Sequence, residues 1–354
     1  MYRRNNFLIA TILILFLLSG CNNMNFKGKD FNYKYGVIET TGQENNSYIS
    51  FYDDNLEKTG EEKIKYGSMG DGFSLPQVFK NSMFIVPKGL YSKKELTFIM
   101  EYDLDKMKIK KYNTGLQNMN SIAVDDSYIY GVNTMNFVSN IVRCNRETKK
   151  LSKVEIPNTY ISYIEIYENE LFAFGESNEN GKMNSSLYIL DADTLNILEK
   201  IDITDIGFGQ YDTVMKDNKL YFSASHSIEG TESQPINKLC EYNRESGEVR
   251  IYDLKENFPF QIMGYNDKLL ITHFDPVGVI GNKISIFNVD DKNSDIVEFT
   301  HNIEQLELDD EDIIILGDGY LYRYDKNFSL KDSTLVVNER ETDYHYYTTG
   351  LFKP

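Results

Sequence analysis

Apolar and polar residues along this chain alternate in short runs. In "SLYILDADTLNILEKIDI", Ser186 to Ile203, the run Leu187 to Leu190 is apolar on both faces, as a strand covered on each side requires. The following run differs: Ile197, Ile201 and Ile203 share one face, and Lys200 and Asp202 the other, which predicts a half-exposed strand. Between them, Asp191-Ala192-Asp193-Thr194 supplies the carboxylate and hydroxyl groups that close a short turn on its own backbone.

The same grammar recurs. An Asp or Asn follows an apolar run at Asp53, Asp103, Asn145, Asp191, Asn243, Asn288 and Asp325, at intervals of 50, 42, 46, 52, 45 and 37 residues. Upstream of these anchors, pairs of apolar runs flank polar turns, and the first apolar residues after those turns are Met83, Tyr128, Leu171, Leu220, Leu269 and Ile313. Their spacings of 45, 43, 49, 49 and 44 keep phase with the anchors. Four strands every 40 to 45 residues or so is the arithmetic of a β-propeller blade. One blade alone would leave both apolar faces wet, so the blades must stack into a ring.

Seven anchors but six upstream hairpins imply a split blade. The first unit starts at its second strand, Tyr33 to Glu39. After the outer strand Ser333 to Val337 the chain still holds "ETDYHYYTTGLF", in which Tyr344, Tyr346 and Thr348 alternate. We therefore expect an all-β propeller of seven four-stranded blades, closed by a C-terminal strand that completes the first; six or eight blades are the alternatives.

"LYILDADTLNILEKI" is similar to the repeat of the YVTN family of bacterial propellers, and "YNRESGEVRIYDL" and "CNRETKKLSKVEI" follow it. The resemblance implies a propeller, most simply of seven blades, and no shared catalytic motif. The chain has no Trp, which removes the tryptophan-docking, WD and Asp-box signatures, and it has no kelch Gly-Gly pair. With 26 Tyr and 21 Phe, tyrosine is expected to fill the gaps between blades.

The N-terminus gives an address. Arg3 and Arg4 precede Phe7 to Leu18, twelve apolar residues, fewer than the roughly 20 that span a membrane. Leu18-Ser19-Gly20-Cys21 then resembles the lipobox of bacterial lipoproteins. That implies a signal peptide at 1–20, an acylated (palmitate-type) Cys21 with a tether at 21–30, and one propeller domain at 31–354. It places the protein on the outer face of the cytoplasmic membrane, or on the outer membrane in a Gram-negative source. The lipid bilayer is then a partner through the acyl chains of Cys21.

Charge narrows the partners. Against 54 acidic residues stand 37 basic ones, a net charge of −17 that repels nucleic acid. Cys144 and Cys240 fall on non-neighbouring repeats and read as buried apolar residues, not a disulfide.

Three connections read as long irregular loops on adjacent blades four to six: Gly175 to Ser185, Ala224 to Asn237 and His273 to Asn282. Glu176, His226, Glu229, His273 and Asp275 lie on them and form an expected binding rim for a protein, peptide or glycan. The alternative is a lyase or hydrolase using His226 and His273 with Glu229 and Asp275, although their spacing of 47 is the blade repeat itself. No catalytic residue is assigned, and neither cofactor nor metal is expected. "DDKNSD", Asp290 to Asp295, and "LDDEDI", Leu308 to Ile313, read as turns, since neither completes a calcium loop. The sequence reads as a non-catalytic binding or scaffolding propeller.

Overall fold

The computed structural model describes residues 32–89, 96–229, 232–310, 312–337 and 343–354. The expected signal peptide and Cys21 with its tether lie outside the described residues. Residues Phe31–Pro354 form one compact unit.

Seven four-stranded antiparallel sheets make up the unit, so the alternatives of six and eight blades fall away. In blade order the inner strands are Tyr347–Phe352, Gln77–Phe79, Ser121–Val124, Tyr160–Tyr167, Thr213–Lys216, Pro259–Tyr265 and Gln305–Asp309. The outer strands, such as Lys108–Asn113, Ile197–Asp202 and Leu330–Leu335, are largely exposed. The second strands between them, such as Leu171 to Gly175 and Leu269 to Phe274, are buried on both faces, and the third strands are buried over part of their length. That is why the buried stretches read as continuous apolar runs.

Blade 1 is split as expected. Its inner strand is C-terminal, and Gly36, Val37 and Ile38 pair with Phe352, Leu351 and Gly350. The strand starts at Tyr347, three residues later than the alternation at Tyr344 suggested.

All seven anchors serve as turn residues. The Asp191 carboxylate accepts from the Thr194 amide and hydroxyl, each at 2.7 Å, and Asn145 repeats this with Thr148. Asp53, Asp103, Asn243, Asn288 and Asp325 each accept from backbone amides two to four residues on. The repeat is therefore written in backbone hydrogen bonding, not in a ligand motif.

Each blade interface holds its own apolar cluster, seven in all among the described residues. Cys144 and Cys240 are free and buried within them. Tyrosine packs its ring there and ends on a carboxylate: Tyr221 on Glu241 at 2.9 Å, Tyr130 on Asp125 at 3.0 Å and Tyr35 on Asp309 at 2.5 Å. A hydroxyl at the ring tip needs such a partner when buried.

"LDDEDI" is indeed a turn, but its Asp309 joins blade 7 to blade 1. The side chain is 2 % exposed and pairs with Lys34 and Lys353, each at 2.6 Å. Burial alone would raise its pKa; Lys34, Lys353 and Tyr35 outweigh burial and bring it down to about 2. A depressed carboxylate contributes stability above its unfolded pKa near 4, and that contribution is lost as the pH falls toward 2. We expect Asp309→Asn to cost about 2 kcal/mol at pH 7 in urea denaturation, with the difference from wild type closing as the pH drops from about 4 to 2. Equal deficits at pH 7 and pH 2.5 would contradict this.

Candidate ligand-binding channel

The connection from blade 1 to blade 2, residues 65–76, takes a long path. The Met69 amide donates to Thr40 Oγ1 at 3.0 Å, and Thr349 Oγ1 donates to the Met69 carbonyl at 2.6 Å. From that anchor the segment crosses the channel mouth. Phe73 lies 5.7 Å from the Tyr211 ring of blade 5, and Gly72 stands beside Pro276 of blade 6. At Gly350 a Cβ would come within 2.7 Å of Pro76, so the closing strand carries glycine where the plug rests on it.

Beneath Ser74 to Pro76 is a channel cavity of about 350 Å³, to which all seven blades contribute. Inner strands of neighbouring blades are not hydrogen-bonded to one another, so their facing amides need side-chain acceptors. Gln261 Oε1 accepts from the Leu306 amide at 2.8 Å, and its Nε2 donates to the Leu306 carbonyl at 3.0 Å. Gln305 repeats this on blade 1, accepting from Leu351 at 2.5 Å and donating to the Thr349 carbonyl at 3.1 Å. In blade 5 the corresponding acceptor is Asp212, whose Oδ2 takes the Ile262 amide at 2.8 Å.

Two further carboxyls line the cavity. Glu165 accepts from the Ile166 amide at 3.0 Å and the Tyr163 hydroxyl at 2.8 Å. Tyr163 Oη also lies 3.3 Å from Asp212. One hydroxyl proton cannot serve both carboxylates, so the second contact is made when Asp212 carries a proton. The Glu307 carboxyl has no hydrogen bond among the described residues, although its backbone pairs with Ile314.

All three carboxyls keep some surface toward the cavity, yet the surrounding protein separates them from bulk water. Burial therefore dominates their pKa values. It raises Glu165 and Asp212 to about 7, against the amides that stabilise their charged forms, and Glu307 to about 8, against the more distant Lys353.

A second cavity of about 280 Å³ shares Phe73 and Tyr211 with the first and opens at the rim of blades 3 to 5. Here two of the expected rim residues meet. The Gly209 amide donates to Glu176 Oε1 at 3.3 Å, and a Cβ on Gly209, whose φ is +73°, would lie 2.7 Å from His226 Nδ1. A bulge between Ala224 and His226 turns the imidazole onto Phe208, and Ser225 Oγ lies 3.1 Å from Nδ1. Burial raises the Glu176 pKa and lowers that of His226.

The other rim residues sit apart. His273 is 3 % exposed beside a separate cavity of blade 6. Its Nδ1 donates to the Asn257 carbonyl at 2.8 Å, leaving Nε2 to accept from Ser285 at 2.7 Å. Burial holds it neutral by lowering its pKa. Asp275 caps its own turn at the Val277 amide, and Glu229 is exposed on an outlying hairpin. Among the described residues no group of three or more His, Cys, Asp or Glu is placed to hold a metal ion.

The three connections expected to be irregular are mostly extended hairpins. Pairing continues to Glu179–Lys182 in blade 4, Glu229–Glu232 in blade 5 and Asp275–Ile280 in blade 6. Continued pairing satisfies backbone groups that an irregular loop would have to leave to water.

Sequence reasoning missed the plug and the channel polar residues. The signal was present: Asp212, Gln261 and Gln305 are polar residues in inner-strand positions, 49 and 44 residues apart, in phase with the repeat.

Solved structures support the architecture. Apo AztD from Citrobacter koseri aligns with a TM-score of 0.54 at 8 % identity, over 90 % of this chain and 98 % of that one. A functionally unknown protein from Desulfotomaculum acetoxidans gives 0.55 at 13 % identity, over 84 % and 94 %. The WD40 domain of Neurospora crassa Pan2 gives 0.51 at 9 % identity, over 80 % and 86 %. The shared feature is the propeller fold. No protein-family model and no curated protein matches the chain.

A carboxyl whose folded pKa is raised stabilises the fold below its unfolded pKa near 4 and loses that contribution as the pH rises through 7 to 8. We expect Glu165→Gln and Glu307→Gln to be nearly neutral at pH 5 and each to gain about 2 kcal/mol at pH 8.5. Thermal melts across that range test this; a gain of equal size at both pH values would contradict it. Buried histidines oppose the trend below about pH 6.5, so the variant-minus-wild-type difference is the quantity to follow.

Proposed function

We propose that this chain is a lipid-anchored, extracytoplasmic binding propeller of YVTN-like type, held by acylated Cys21 and taking a protein or peptide ligand on the plugged face. The observation that carries the reading is the pair of adjacent cavities that share Phe73 and Tyr211 in their walls. They offer exposed aromatic surface, with Tyr160 47 % and Phe73 43 % exposed, above a carboxyl-lined interior. Concave sites of this kind, mixing apolar walls with a few polar groups, suit ligand capture. A two-histidine enzyme is the weaker reading, because His273 uses both ring nitrogens internally and shares no cavity with His226.

A photo-crosslinking residue at Tyr160 should capture a discrete partner in cells, whereas one at Leu198, 59 % exposed on an outer strand, should not. Equal capture at both positions, or none at Tyr160, would count against the plugged face. The address is tested separately. Cys21→Ser should move the protein from the membrane fraction to the soluble fraction, since a body with 35 basic against 54 acidic residues, a net charge of −19, has no attraction to anionic lipid.

A further inference from the structure

The acids of this ring are treated in two ways. Where an acid is structural, it has cationic partners. Asp309 has Lys34 and Lys353; Glu241 has Lys219 at 2.8 Å and Lys292 at 2.9 Å; Glu101 has Arg146 at 3.3 Å and Lys110 at 3.8 Å. In the channel cavity, Glu165, Asp212 and Glu307 arrive from blades 4, 5 and 7, and none makes an ion pair among the described residues. Lys353, the cation nearest to Glu307 in effect, is committed to Asp309 at 2.6 Å. The Glu307 carboxyl lacks even a hydrogen bond among the described residues, although it lines the cavity from a desolvated wall. A carboxyl so placed is costly unless a ligand supplies its partner.

We infer that the channel cavity, walled on one side by Phe73 and Tyr211, binds an alkylammonium group among Glu165, Asp212 and Glu307. The inference rests on the binding reading above and names the chemical group that is recognised. Two aromatic rings, Phe73 and Tyr211, packed 5.7 Å apart, stand in the walls of both cavities, and aromatic faces attract cations. A bare metal ion fits less well, since no three ligating side chains converge among the described residues. An alkylammonium does not need three ligands at once: one or two of the carboxyls can accept its hydrogen bonds while the others attract its charge through the desolvated cavity.

Binding should strengthen as the pH rises from 6 to 8.5, because the carboxyls must ionise while the alkylammonium keeps its proton. The groups facing them are Tyr163, Tyr167, Asp212 and the Ile166 amide for Glu165; Glu165, Tyr163, Tyr167 and the Ile262 and Thr213 amides for Asp212; and Lys353 and Asp212 for Glu307.

Isothermal titration of residues 22–354 at pH 8 with cadaverine, and with a capped glycine-lysine-glycine peptide, tests the proposal. At least one should bind, 1,5-pentanediol and the N-acetylated peptide should not, and Glu307→Gln should weaken binding about tenfold or more while raising the melting temperature. Tighter binding of the peptide assigns a protein lysine, and tighter binding of cadaverine assigns a free diamine. The Glu165→Gln, Asp212→Asn, Glu307→Gln triple variant removes three of the net 19 negative charges of residues 22–354 (35 basic against 54 acidic residues), so non-specific attraction would survive it and channel binding would not. No binding of either amine, binding unchanged in Glu307→Gln, or saturable binding of calcium ions in place of the amines would overturn the inference. Crosslinking at Tyr160 that persists while the amines fail would overturn the inference alone.

Discussion

Everything in this ring depends on one strand pairing, the antiparallel contact of Tyr347–Phe352 with Tyr35–Thr40. Successive side chains of the closing strand serve opposite interfaces: Leu351 enters the cluster between blades 7 and 1, and Phe352 the cluster between blades 1 and 2. Without that strand, two apolar faces and a sheet edge would be open together. The Asp309 ion cluster ties the same junction from its lower side.

Closing seven blades around an axis creates a second constraint. Inner strands converge without pairing to one another, so the wall of the channel carries amides that only side chains can satisfy. Gln261 and Gln305 do this with one acceptor and one donor apiece. The resulting wall is polar and leaves space, which the 65–76 segment roofs. Architecture thus produces a concave, partly dry site before any ligand is considered, and the particular acids then decide its chemistry.

Blade count, closure and turn chemistry were legible in the sequence because each is local or periodic. Asp191 and Thr194 make their bonds within four residues, and the anchors repeat at the blade interval. The channel was not legible because its members meet only through the ring: Glu165 and Glu307 are far apart in sequence, and nothing near either marks it as facing the axis. The rim was half legible. Glu176 and His226 do meet, but through Gly209 and a bulge at Ala224, features that no residue pattern announces. His273 looked equivalent by spacing, yet the blade 6 hairpin buries it against Asn257 and Ser285. Spacing by the repeat places a residue at a height on a blade; it does not say whether the side chain turns toward the mouth or into the sheet.

Asp212 shows where this wall departs from its own pattern. Gln261 and Gln305 offer an acceptor to the next inner strand and a donor to its carbonyl; Asp212 accepts from Ile262 at 2.8 Å and Thr213 at 2.9 Å and donates to no neighbouring carbonyl. Asparagine or glutamine would complete the stitching at no electrostatic cost. The carboxyl instead shares Tyr163 with Glu165, and burial lifts both to about 7, so near neutral pH the pair holds protons that a cation can displace. If closure of the ring were the sole demand on this position, an amide would meet it better. The acid is understandable as a group kept short of a partner, at the depth where a ligand entering past Phe73 and Tyr211 would supply one.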